Sequence, residues 1–267
     1  MDLLFEKRNG IAYLTLNRPE SRNSLSPELI VDLIDAWEEY KKDNSLRCAI
    51  VTGAGAESFC AGADLTKLIP LLTGARQPET DADKKIQKDP LIANKAILRD
   101  FDLFKPVIAA INGHAIAGGM EFLYSMDIRI SCEQAKFGLQ EAKWAIFPAG
   151  GSSVYLPQQI PYARAMEILL TGQLMSAQEM YEFGFLNRVV PAENVMEEAE
   201  KFAAIIAKNG PLAVSAIKQS VKTNMGVPVK EALNREIELA LPVFMSEDAV
   251  EGPKAFKEKR DPVFKGK

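Results

Sequence analysis

Short apolar runs bounded by Gly, Pro, Asn or Asp alternate with stretches whose apolar positions recur every three or four residues. Ile11 to Leu16 (IAYLTL) reads as a strand, paired with Leu3 to Glu6 through a turn at Asn9-Gly10. Ser26-Pro27 then opens a helix, with Ser as N-cap and Pro at the first helical position. Leu29, Ile30, Leu33, Ile34 and Trp37 mark one face of it. Arg47 to Thr52 is a second strand, followed by a Gly53-Ala54-Gly55 loop and a small-residue turn at Phe59 to Leu65 that opens a helix. Thr73 to Lys88 is polar and irregular and reads as a mobile loop or partly ordered lid. Leu91 to Phe104 reads as a helix leading to a strand at Val107 to Ile111. The chain then passes Asn112-Gly113 and reaches Gly118-Gly119, where an apolar helix begins.

Asp127 to Cys132 is the next strand, and Ala135-Lys136-Phe137 begins a further edge. Gly150-Gly151 forms a third glycine turn before a helix. Ser176 and Glu179 have capping-box spacing, and Gly184 is placed to end that helix. From Asn194 the pattern turns wholly helical: Val195 to Lys208, Leu212 to Met225, Val229 to Met245 and Glu251 to Lys259. Strand–helix units followed by helices alone predict an α/β core over residues 1–195 and a helical region over 196–267. No internal repeat of fixed period is visible.

Composition narrows the class of function. With 47% hydrophobic and 25% charged residues a sizeable core is available, and a net charge of −4 with pI near 5.3 argues against a broad nucleic-acid surface. Cys48, Cys60 and Cys132 are odd in number and lack metal-ligand spacing, which fits a reducing cytoplasm. The strand pattern starts almost at Met1, so no secretory leader is expected, and no apolar run is long enough to span a bilayer.

The chemistry concentrates in Lys105 to Asp127. Paired glycines at a strand-to-helix junction let a ligand approach the backbone and leave amide N–H groups where the helix dipole favours negative charge. One acid, Glu121, lies in this apolar surrounding. An anion-binding turn with a carboxyl beside it suits a reaction that develops an oxyanion and moves a proton.

The ordered anchors Asn17-Arg18-Pro19, Phe59 to Asp64, Lys105 to Ala115, Gly118 to Glu121, Phe137 to Glu141 and Phe147 to Gly151 resemble the crotonase (enoyl-CoA hydratase/isomerase) superfamily across nearly the whole chain. Glu251 to Arg260 is similar to the family's terminal helix. The resemblance implies a crotonase-like spiral of ββα units followed by a C-terminal helical oligomerisation region, and assembly as homotrimers or homohexamers. It implies an acyl-CoA substrate with coenzyme A as acyl carrier, no prosthetic group or metal, and neither nucleic acid nor membrane as partner.

It also assigns roles. The backbone amides of Ala63 and Gly118 would stabilise the thioester enolate, each donor worth about 3 kcal/mol. Glu121 would orient and activate water, and Glu141 would deliver the α-proton; two carboxyls sharing a site can hold different protonation states. Arg22, the Ser24 backbone, and Ala61, Gly62, Asp64 and Leu65 would receive coenzyme A, with Phe256 and Lys259 reaching it from the terminal helix. Asp64 could instead only cap the following helix, and Phe256 and Lys259 could simply face solvent. Trp144 and Phe147 could line an acyl pocket or pack in the core, and Met120 and Tyr124 carry the same ambiguity. His114, the only histidine, has no triad partner and reads as structural; Cys60, without a base nearby, reads as a core residue.

Ala117 stands where the family more often has glycine, as do Ala145 and Ala149, and this leaves the acyl group open. The expected reaction is hydration of a trans-2-enoyl-CoA to the 3-hydroxyacyl-CoA. Isomerase, specialised dehydratase, hydrolase and non-catalytic RNA-associated readings are the alternatives.

Overall fold

The computed structural model describes residues 1–267. Strands β1 (Leu3–Arg8) and β2 (Ile11–Leu16) form the expected antiparallel hairpin, with Asn9 and Gly10 both at positive φ (53° and 75°). Helix α1 (Pro27–Lys42) starts where expected: the Ser26 hydroxyl accepts a hydrogen bond from Leu29 N. Its Leu29, Ile30, Leu33 and Trp37 are fully buried, and Ile34 is half-buried. The polar tips of its buried aromatics find carbonyls: Trp37 Nε1 donates to Ala96 O at 2.9 Å and Tyr40 OH to Pro106 O at 2.7 Å.

The chain then winds as a spiral. β3 (Cys48–Gly53) leads to β4 (Ser58–Cys60) and the short helices α2 (Leu68–Leu72), α3 (Asp81–Lys88) and α4 (Ile92–Ala96). β5 (Val107–Ile111) leads to β6 (His114–Ile116) and α5 (Gly118–Leu123); β7 (Ile128–Cys132) leads to β8 (Lys136–Gly138), α6 (Ser152–Gln159) and α7 (Tyr162–Thr171). β9 (Met175–Ser176), α8 (Ala177–Glu182) and β10 (Arg188–Val190) close the core. Each turn places one strand in each of two sheets. The larger sheet has the order β1-β2-β3-β5-β7-β10 and the smaller β4-β6-β8-β9. Apart from the β1–β2 and β8–β9 pairs, all pairings are parallel. This is the ββα spiral implied by the resemblance.

Asparagine side chains, Asn23 buried and Asn112 half-buried, pin its corners. Asn112 accepts from Gly53 N and donates to Gly55 O, both at 2.9 Å; Asn23 donates to Ala54 O (2.9 Å) and Ser58 O (2.8 Å). All five residues of β5 are buried, as a central parallel strand requires.

Three expectations need correction. Thr73 to Lys88 is not an irregular loop throughout: α3 occupies Asp81–Lys88, started by a Thr80–Asp83 capping box and an inward-facing Ile86. Asp83 is buried and clasped by Arg76, with both guanidinium nitrogens at 2.7 Å, which ties down the preceding turn. Second, the helix expected over Leu91 to Phe104 spans only Ile92–Ala96, because Leu98 takes φ +61° and ends it. Third, β6 lies inside a stretch where no strand was expected; it is three residues long, below what periodicity reveals.

The last helices are α9 (Val195–Lys208), α10 (Pro211–Asn224), α11 (Val229–Phe244) and α12 (Glu247–Glu258). α9 lies on the 196–267 side of the expected division, yet it packs on β3, β5 and β7, with Val195, Ala199 and Ala203 in the hydrophobic core. α10 to α12 contribute only Ala255 to the buried apolar set. A division near Asn209 is therefore the one we propose. α12 begins at Glu247, earlier than expected, because Ser246 caps it through Ala249 N. No helix is long and apolar enough to cross a membrane.

Candidate active site

The spiral brings the candidate catalytic residues together by a simple device. β4, β6 and β8 run parallel and adjacent, so their C-terminal ends open at one edge. Just beyond β4 lies the Ala61–Asp64 turn, beyond β6 the start of α5 at Gly118, and beyond β8 Glu141. Residues far apart in sequence thus occupy equivalent corners of successive turns.

The first corner is held by backbone pairing. Ala61 N donates to Arg22 O (3.0 Å), Leu25 N to Gly62 O (2.8 Å) and Asp64 N to Leu25 O (3.0 Å). Ala63 N–H takes no part in this ladder. Gly118 opens α5, so its N–H has no acceptor one turn earlier. The two amides are neighbours across the corner: Gly62 sits at φ +89°, and a Cβ there would lie 2.9 Å from Gly118 N. Ala63 and Gly118 thus present two free donors side by side, as an oxyanion hole needs. Ala117, which replaces the more common glycine, accepts φ +51° and keeps the turn.

Glu121 lies one turn into α5 and is buried. Its Oε1 accepts from Gly150 N at 2.7 Å and Ser152 Oγ at 2.8 Å, while Oε2 takes neither bond. Burial raises its carboxyl above the ordinary range, and the Ser152 hydroxyl and Gly150 amide pull it back. A Cβ on Gly150 would collide with the Glu121 carboxylate and push it out of this place. Glu141 is half-buried in a single 3₁₀ turn, and its Oε2 is buried with no partner. Burial pushes it up to about 7, and the charge of Glu121 adds to the rise. One carboxyl is therefore wired to donors and the other is left to hold a proton.

The proposed coenzyme A contacts separate into two groups. Arg22 is exposed, paired with Glu57 at 2.8 Å, and with half-buried Ala61 and exposed Leu65 (74%) it borders the oxyanion corner. Asp64 and Ser24 are occupied instead. Asp64 Oδ1 accepts from Thr66 N, Thr66 Oγ1 and Lys67 N, and Oδ2 receives Arg18 Nη2 at 2.8 Å. Burial alone would raise this carboxyl, but those bonds outweigh it and hold it at about 2. Ser24 O accepts from Arg18 Nη1 at 2.6 Å. Both residues also brace the turn that carries the other proposed coenzyme contacts. Phe256 (87% exposed) and Lys259, at the end of α12, stand on the helical region, which packs α12 on α11.

His114 accepts from Lys136 N through Nδ1, and burial pushes the Cys60 thiol up to about 12, which disfavours the thiolate that a nucleophile needs. Met120 and Tyr124 belong to the core, whereas Trp144, Ile146 and Phe147 are exposed beside Glu141. Ser152 and the buried cation Arg18 went unsingled in the sequence; the only signals for them were a Ser after Gly150-Gly151 and an Arg before Pro19.

A family profile described as Enoyl-CoA hydratase/isomerase matches residues 6–267. The chain is 42% identical to enoyl-CoA hydratase EchA19 of Mycobacterium tuberculosis over 266 residues, covering 100% of this chain and 97% of that one. It is 38% identical to (E)-benzylidenesuccinyl-CoA hydratase of Thauera aromatica, over 100% of both. Among solved structures, an enoyl-CoA hydratase from Bacillus anthracis superposes with a TM-score of 0.91 at 35% identity, over 100% of both chains.

Proposed function

The chain belongs to the enoyl-CoA hydratase/isomerase family, and from that premise we propose that it is an enoyl-CoA hydratase, adding water reversibly across the trans-2 double bond of an enoyl-CoA. The observation that carries this reading is the pair Glu121 and Glu141, both retained at one corner and tuned differently, next to two free amides. In the hydration direction, ionised Glu121 takes a proton from water as the oxygen attacks the β-carbon. Charge moves onto the thioester oxygen, where Ala63 N–H and Gly118 N–H receive it. Glu141 then delivers its proton to the α-carbon. The product state has the proton on Glu121 and the charge on Glu141, so dehydration runs the same steps backwards.

Arg22, Ala61, Gly62 and Leu65 are the residues we assign to the coenzyme A side, with Phe256 and Lys259 reaching it across a subunit boundary. The apolar face of α10 and α11 supports a homotrimer or a hexamer: Ile217, Val221, Leu233, Ile237 and Leu241 are all more than half exposed. The buried free thiols suit a cytoplasmic enzyme.

The test is turnover over a panel of enoyl-CoAs from crotonyl to aryl and dicarboxylyl, followed as loss of the conjugated-thioester absorbance and appearance of the 3-hydroxyacyl product. Glu121→Gln and Glu141→Gln should each lower kcat at least a hundredfold, by roughly the 10²–10⁴ that positioned acid–base groups contribute. Full activity in both variants would remove this mechanism, and a shifted double bond without water uptake would favour an isomerase.

A further inference from the structure

We infer that Arg99 is a positioning residue for the reaction, acting on Glu121 through the single peptide group that joins Ala149 to Gly150. This inference rests on the hydratase reading for its kinetic consequence, though not for its geometry. Arg99 Nη1 donates to Ala149 O at 2.7 Å, and the N–H of the same peptide, on Gly150, donates to Glu121 Oε1 at 2.7 Å. A cation thus sits on the carbonyl end of one peptide dipole and the catalytic carboxylate on its amide end. Charge on the oxygen polarises the peptide and strengthens its N–H as a donor. The arrangement also fixes the peptide plane, so that Oε1 is engaged and Oε2 carries no hydrogen bond within the protein.

The fold holds Arg99 at this place. Leu98, buried in the core, adopts φ +61°, a conformation that residues with a side chain rarely take. It ends α4 with Arg99 N donating back to Asn94 O at 2.9 Å, while Leu98 O accepts from Ser125 Oγ at 3.2 Å on the segment that follows α5. Arg99 therefore leaves a rigid corner tied to the element that carries Glu121. Its charge also acts directly on Glu121, favouring the ionised form. Within ion-pair distance the guanidinium meets only Asp100, 3.6 Å from Nε. Ala149 is exposed, so loss of Arg99 leaves that carbonyl to water and does not threaten the fold.

The experiment compares Arg99→Met and Arg99→Lys with wild type. In Arg99→Met, kcat should fall about tenfold with KM within about twofold, the pattern of a misplaced reacting group. The acidic limb of its kcat/KM profile should move to higher pH, because Glu121 loses a cation that favours its charge. Arg99→Lys keeps a cation and a donor and should recover most of both. Titration of Glu121 by ¹³C NMR on carboxyl-labelled glutamate, with the signal identified by its loss in Glu121→Gln, reads the same effect without turnover. Unchanged kcat and unchanged titration in Arg99→Met would overturn the inference, as would Lys behaving like Met. If Arg99→Met does not fold, Arg99→Gln, which keeps a donor and loses the charge, takes its place under the same criteria. Should wild type hydrate no enoyl-CoA while the Glu121 titration still shifts in Arg99→Met, the hydratase reading falls and the positioning of Glu121 stands.

Discussion

Glu121 and Glu141 are the same residue type put to different uses by their surroundings. Glu121 is wrapped by two donors while Glu141 leaves its Oε2 buried without a partner, and burial raises Glu141 further, to about 7, so it is the carboxyl that holds a proton more readily. Both directions of the proposed reaction use the singly protonated pair, so kcat/KM should fall as pH rises through about 7, where Glu141 loses its proton. A stability effect accompanies this. Glu141 binds its proton more tightly folded than unfolded, so its contribution is complete below the ordinary glutamate range and is lost as pH rises through about 7. Glutamine cannot ionise. Glu141→Gln should therefore match wild type in unfolding free energy near pH 4 and exceed it at pH 8, by on the order of 1 kcal/mol after allowing for solvent screening at a half-buried site, read by denaturant unfolding at the two pH values. Gly150→Ala should act in the other direction. The added methyl displaces the Glu121 carboxylate, and kcat should drop at least tenfold while far-ultraviolet circular dichroism stays unchanged. Which residues were acidic was legible in the chain. Their protonation was not, since it depends on Gly150 and Ser152 arriving from another turn of the spiral.

Among the elements, those announced by local chemistry came out where expected. The hairpin at Asn9-Gly10, the Ser26 cap and the Ser176–Glu179 capping box all reflect bonds between residues a few positions apart. Helix α3 had such a signal too, in Thr80 and Asp83, but its polar composition hid it. The helix expected over Leu91 to Phe104 stopped early because core packing of Leu98 overrides propensity. The Ala61–Asp64 turn depends on a partner from outside its own element. Arg18 reaches Asp64, Ser24 and, through Nε at 3.1 Å, Asp2. Arg18→Met leaves the Asp64 carboxylate buried with its cation gone, and should cost about 3 kcal/mol in denaturant unfolding. Adding Asp64→Asn removes the stranded charge and should restore part of that loss, which a double-mutant cycle would read.

At the scale of the molecule, the helical region leaves a stripe of apolar surface exposed. The apolar stripe from Ile217 to Leu241 has no cover within the protein. Ile237→Glu with Leu241→Glu should shift the mass seen by light scattering from the trimer or hexamer toward the monomer. A monomeric wild type would count against the assembly proposed above. The chain by itself determined the α/β class, the helical ending, the glycine turns and the two acids, because those follow from periodicity, caps and residue type, with the family resemblance adding the spiral. Only the tertiary structure decided that Asp64 and Ser24 belong to a buried arginine, that α9 belongs to the core, and that a single peptide links Arg99 to Glu121. Those outcomes depend on which strands lie side by side. Parallel pairing within both sheets, β3-β5-β7 under α9 and β4-β6-β8 at the candidate site, sets that neighbourhood across long stretches of chain, where no local pattern can record it.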